Sequence, residues 1–86
     1  MEEPKLYDLC VIIDIADCDS WHIHKDLLIG KRVRYEGKIA GPVDLPGFIS
    51  CCVLFADPVP VLGIWVGRPT CFYCVKLEKI KTKENK

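Results

Sequence analysis

Six cysteines and two histidines are the side chains of this 86-residue chain best equipped for chemistry. Cys71 and Cys74 have the C-x-x-C spacing of a zinc knuckle or a redox dithiol. A knuckle needs that spacing on a tight turn, so that both sulfurs reach one ion. Here the intervening residues are Phe72 and Tyr73, which favour extended chain over a turn. On a strand, residues three apart point to opposite faces, and the two thiols cannot share a tetrahedral metal. Cys51 and Cys52 are adjacent and fail for the same reason. His22 and His24, two apart, could join Cys71 or Cys74 as a weaker metal alternative; the main expectation is no metal and no cofactor. A redox C-x-x-C would open a helix, whereas Val75-Lys76-Leu77-Glu78 alternates like a strand.

The other reactive candidates are Cys18, His22, His24 and the acids Asp14, Asp17 and Asp19. A Cys/His pair can be drawn from them, but nothing fixes the third partner that would orient the base. The acids match no complete oxygen-ligand loop for a hard cation, and no glycine-rich segment would cradle a phosphate. The expectation is a protein that binds and does not catalyse.

Half the residues are apolar, enough to build a core, yet a chain this short buries only about 60% of the surface its unfolded form exposes. Charge cancels overall but not locally: residues 1–26 hold seven acids against Lys5 and Lys25, and residues 27–86 hold ten bases against five acids. Overall neutrality weakens any long-range pull on nucleic acid. Internal pairing of the two halves, or plain solvation, is the expected fate of these charges. The opening Met1-Glu2-Glu3-Pro4-Lys5 is acidic where an export signal is basic, and no apolar run is long enough to span a membrane. These features lead us to expect a cytoplasmic protein, with no membrane partner and reduced thiols packed mostly as small hydrophobes.

The elements that must carry these side chains follow from periodicity. Residues 6–15 read as a strand with Tyr7, Leu9, Val11, Ile13 and Ile15 on the apolar face. After the polar break at 16–20, Asp19 or Ser20 caps a short helix running to about Leu28 and ended by Gly30, or else the segment is an irregular loop with Trp21 as a plug. Residues 32–39 alternate, with Val33, Tyr35 and Ile39 inward and Arg32, Arg34, Glu36 and Lys38 outward. A Gly/Pro loop spans 41–47. Residues 48–56 are apolar on both faces, as a covered central strand or a subunit contact would be. Residues 61–66 read as a fourth strand and, with Phe48–Phe55, as core. Residues 71–80 read as a fifth, with Cys71, Tyr73, Val75 and Leu77 on one face, and 81–86 as a charged tail that frays.

Five short strands separated by Gly/Pro turns in a single domain over 1–80 describe a mainly β fold, a small five-stranded barrel with an N-terminal strand. Asp26-Leu27-Leu28-Ile29-Gly30-Lys31-Arg32-Val33, with the closing Val75-Lys76-Leu77-Glu78-Lys79-Ile80, resembles SH3-like barrels of the KOW and Tudor kind. The pair of segments also resembles short orphan barrels encoded by bacterial phages. The resemblance covers residues 26–80, leaves out the N-terminal strand and the cysteines, and implies a fold without carrying over a functional residue.

The functional expectation is a stand-alone protein-binding module, homo-oligomeric or bound to a host protein. By the phage resemblance it would be a viral inhibitor of a host, including defence, protein. Its recognition surface is expected to include Arg32, Arg34, Lys38, Trp65, Arg68 and Phe72. The same basic and aromatic residues would serve a nucleic-acid-binding barrel, and an oligomer trapping a small ligand between copies is a third reading.

Overall fold

The computed structural model describes residues 4–41 and 45–80. The middle of the 41–47 loop and the tail from 81 onward lie outside the described residues. Four strands form: β1 (Leu9–Ile15), β2 (Arg32–Lys38), β3 (Ile49–Phe55) and β4 (Pro69–Lys79). A short helix, α1 (Lys25–Leu28), follows a 3-10 turn at Ser20–His24 between β1 and β2. The chain is therefore mainly β, with all strand pairs antiparallel. Because β1 pairs with β4 as well as with β2, the sheet closes on itself in the order β1-β2-β3-β4, which removes exposed sheet edges. Consecutive antiparallel strands also fix the connections: β1–β2 and β3–β4 cross the same end of the sheet, and β2–β3 crosses the other.

The expected fourth strand at 61–66 does not form, so the described residues hold four strands and not five. Pro60 opens a 3-10 turn over Pro60–Leu62, and Gly63 takes a left-handed φ of 73°. The chain thus reverses where a strand would run on, and Val59 bridges to Ile64 instead. Of the segment assigned to the core, Ile64 is buried and Leu62 packs against it, whereas Val61, Trp65 and Val66 are exposed.

The face assignments of β1 and β4 also need correction. In β1 the buried side chains are Cys10, Ile12 and Ile15, while Leu9, Val11 and Ile13 are half-buried. Pairing with β4 advances from Ile12↔Leu77 to Asp14↔Lys76, so Ile13 is an extra residue and the inward phase changes there. In β4, Cys71 and Tyr73 do not share a face with Val75 and Leu77: they are exposed, while Phe72, expected at the surface, is buried with Cys74, Val75 and Leu77. Here the register jumps from Ile49↔Val75 to Cys51↔Phe72, which puts the bulge at Tyr73–Cys74. A third irregularity, between Tyr35 and Gly37 of β2, uses Gly37 at φ 123°, a conformation open to glycine. β2 keeps its expected phase at Val33 and Tyr35.

The interior joins Cys10, Ile12 and Ile15 to Val33, Tyr35, Cys51, Val53, Phe55, Phe72, Val75 and Leu77. Leu28, Val59 and Ile64 extend this core from the two connections at one end. Phe55 and Phe72 lie with ring centroids 6.2 Å apart, and Trp21 tilts against Phe72 at 6.1 Å. Trp21 is thus both part of the 3-10 turn capped by Asp19 and a partial plug. The β4 bulge is closed off by polar contacts: Tyr73 N and Cys74 N donate to Asp19 Oδ2 at 2.7 and 2.9 Å, Ser50 Oγ donates to Tyr73 O, and Ala16 N donates to Cys74 O. Asp19 Oδ1 accepts from Trp21 N at 2.8 Å, so one carboxylate caps the turn and fastens it to β4. Gly41 is needed where it passes Ser50, because a Cβ there would fall 1.9 Å from Ser50 Oγ.

Candidate functional site

Residues 56–68, between β3 and β4, form a knuckle tied by its own backbone hydrogen bonds. Val59 and Ile64 exchange backbone hydrogen bonds of 2.8 and 3.2 Å. Leu62 N donates to Val59 O and Gly63 N to Pro60 O, and Gly67 N reaches back to Phe55 O. Pro58 and Pro60 restrict φ along the same stretch. Val59 and Ile64 anchor the knuckle inward. Outward it presents Val61, Val66 and Trp65, exposed to 77%, 64% and 53%.

Trp65 and Arg68 are brought together here. They end the four-residue turn Trp65-Val66-Gly67-Arg68, closed by a 3.0 Å bond from Arg68 N to Trp65 O, with Gly67 at φ 79°. An exposed tryptophan and an exposed arginine at the two ends of one hydrogen-bonded turn supply residue types enriched in interface hot spots.

The remaining expected surface residues are placed differently. Phe72 is 0% exposed and packs between Trp21 and Phe55, so it offers no face for stacking. Arg32 is outward on β2, but its backbone N, Nε and Nη2 all donate to the Asp57 carboxylate at 2.9, 3.1 and 2.8 Å. That pair clips the start of the knuckle to β2 and holds the Asp57 carboxyl at about 2, chiefly through the Arg32 side-chain hydrogen bonds. Arg34 pairs with Glu36 and lies over the Tyr7 ring, 5.2 Å from its centroid. Lys38 is exposed at the end of β2. The strand face expected to be basic is thus partly neutralised by its own acids. Of the acidic N-terminal segment, Asp8 meets a base from the far end of the chain, Lys79, at 3.6 Å.

The metal alternative is dispersed. Cys71 is exposed and Cys74 is buried; His22 Nε2 lies 2.8 Å from Asp17 Oδ1, and the His24 ring tilts against Trp21. Among the described residues, no three or more His, Cys, Asp or Glu side chains are grouped as metal ligands. Cys18, considered for a Cys/His pair, instead directs its thiol to Cys74 Sγ at 2.7 Å.

Sequence reasoning missed Val61 and Val66 as surface, Asp57 as the partner of Arg32, and the second role of Asp19. Gly63, between two apolar pairs, was the available signal that 61–66 turns back on itself. Among the described residues, no helix is long and apolar enough to cross a membrane. Comparison with protein-family models, with curated proteins and with solved structures gives no match for this chain.

Proposed function

We propose that this chain is a non-catalytic binding module acting by protein–protein contact, built on a small SH3-like barrel, with the β3–β4 knuckle as its contact surface. The observation that carries the reading is the outward set Val61, Trp65 and Val66 beside Arg68, on a turn whose backbone is locked by its own hydrogen bonds. Preorganised apolar anchors lose little entropy on binding. The β1–β2 connection crosses the same end of the sheet and exposes Ile23, Leu27 and Ile29. That end therefore holds six of the ten large hydrophobics exposed among the described residues, a concentration that favours contact with a partner over scattered surface exposure. The pairing of Arg32 with Asp57 and of Arg34 with Glu36 counts against the nucleic-acid reading, which needs those cations free for phosphate.

The test is retention of protein partners by the immobilised chain, compared with a V61D/W65S/V66D variant, alongside sedimentation of both across a concentration series. A partner, or a second copy, bound by the parent chain and lost from a folded variant supports the proposal. Equal retention by both removes the knuckle from the interface, and salt-sensitive binding of an oligonucleotide in place of protein overturns the reading.

A further inference from the structure

The six cysteines fall into unlike environments, and one pair faces solvent. Cys52 of β3 and Cys71 of β4 are direct partners in the strand register, and their sulfurs lie 2.6 Å apart. Cys71 is exposed and Cys52 half-buried, and both are free thiols. We propose that Cys52 and Cys71 form a reactive dithiol that reduces low-molecular-weight disulfides by thiol–disulfide exchange and closes into a cross-strand disulfide.

The geometry carries the proposal. Opposed residues on antiparallel strands have Cα atoms about 4.5–5.5 Å apart, inside the roughly 4.4–6.8 Å window of disulfides. Closure therefore needs rotation of two side chains and little backbone movement. Cys71, the more accessible sulfur, is the attacking group. Cys52 is pushed up to about 11, first by its hydrogen bond with Cys71 and then by burial, so it keeps its proton and can donate to the Cys71 sulfur. Once Cys71 carries the substrate's sulfur, that hydrogen bond is lost and Cys52 is freer to ionise.

The Cys71 thiolate attacks one sulfur of a disulfide RSSR; the S–S bond breaks and RS⁻ leaves. Cys52 then gives its proton to solvent and attacks Cys71 Sγ, expelling the second RS⁻. Both leaving thiolates take up protons. The net change is protein dithiol plus RSSR to protein disulfide plus two RSH, a two-electron reduction of the substrate.

The two core thiols are internal controls. Cys10 and Cys51 are buried in the core, and burial pushes them up to about 11 and about 12. Cys18 and Cys74 also approach each other, but Cys74 is 1% exposed.

The experiment incubates the reduced full chain with excess glutathione disulfide, quenches with acid, alkylates the remaining thiols and maps peptides by mass spectrometry. The expected result is a Cys52–Cys71 cross-link exceeding the mixed disulfide at Cys71 by about tenfold or more, because the second thiol is already in place, with Cys10 and Cys51 still alkylated. C52S, shown to be folded by circular dichroism, should instead accumulate glutathione at Cys71. Alkylation of both Cys52 and Cys71 in the parent chain after equilibration overturns the proposal. So does a parent chain that stops at the mixed disulfide, or a C52S variant whose Cys71 takes up no glutathione.

Discussion

Replacing Asp19 with alanine tests whether one buried carboxylate holds the β1–β2 connection on the sheet. Asp19 is 2% exposed and accepts three backbone N–H groups at 2.7–2.9 Å, from Trp21, Tyr73 and Cys74. The last two are the donors that the β4 bulge takes out of the ladder. Alanine removes the cap of the 3-10 turn, a loss of about 1 kcal/mol. It also leaves the two bulge N–H groups without their acceptor, at about 1–3 kcal/mol each. Water reaching the vacated site returns part of this, so D19A should cost about 3–5 kcal/mol. A domain of this length holds roughly 4–13 kcal/mol in all, and each kcal/mol moves Tm by about 4–8 °C. The midpoint should therefore fall by roughly 12–40 °C. Asparagine keeps one acceptor oxygen and can serve either the bulge or the cap, so D19N should lie between, at about 1.5–3 kcal/mol. Thermal and urea melts followed by circular dichroism, under reducing conditions, measure both variants. A D19A variant within about 1 kcal/mol of the parent would refute the idea that this carboxylate fastens turn to bulge.

Four further outcomes follow from the same contacts. F72A should lose about 3–5 kcal/mol, as a buried ring at the centre of the aromatic contacts, whereas W65A should stay within about 0.5 kcal/mol of the parent in the same melts and lose partner binding. G41A should be destabilised by about 1–3 kcal/mol, because the new methyl meets Ser50 Oγ, and S50G should restore part of the loss in the double variant. The Asp57 carboxyl is lowered from 3.8 to about 2, so the stability it contributes is complete above about pH 5 and drains away as pH falls toward 2. In R32M the acid limb of an equilibrium urea titration should be flatter over that window, and an unchanged limb would detach Asp57 from Arg32.

What the sequence made legible tracks how local each cause is. β2 could be read by alternation because Val33 and Tyr35 are apolar between charged neighbours, leaving one possible inward face. The segment from Asp19 to Gly30 was legible in part, as a helix capped by Asp19 or Ser20 or as a loop plugged by Trp21, because the capping oxygen and the N–H it accepts lie two residues apart. β1 and β4 were harder. Both faces of β1 are apolar, so alternation did not choose between Cys10/Ile12 and Leu9/Val11, and the bulge at Ile13 places Ile15 inside along with the even positions. In β4 the bulge at Tyr73–Cys74 sends Cys71 out and Val75 in. A bulge depends on what the partner strand offers, and here part of the compensation is a carboxylate 54 residues away in sequence. The outward direction of Arg32 and Arg34 was also legible, but their engagement with Asp57 and Glu36 was not foreseen, and it is this engagement that weakens the basic face as a nucleic-acid surface.

The cysteines carry that argument furthest. Read along the chain, the suggestive pairs are the adjacent Cys51 and Cys52 and the C-x-x-C of Cys71 and Cys74. In the folded sheet neither pair stays together, because alternation sends Cys51 into the core while Cys52 remains partly accessible, and separates exposed Cys71 from buried Cys74. Each local pair is exchanged for a long-range one: Cys52 meets Cys71 across the β3–β4 register, and Cys74 meets Cys18 from the β1–β2 connection. Spacing rules for thiols describe ligands that fold around an ion on one turn. They do not apply where a ladder sets the neighbours, since there the partner of a cysteine is decided by register. A one-residue slip of β4 against β3 would turn Cys71 away from Cys52. The bulge at Tyr73–Cys74 helps fix that register, so the Asp19 carboxylate that satisfies it also helps keep the sulfurs of Cys52 and Cys71 opposite each other. D19A should accordingly slow formation of the Cys52–Cys71 cross-link even at temperatures where the variant remains folded, and closure at the parental rate would show that the register is held without it.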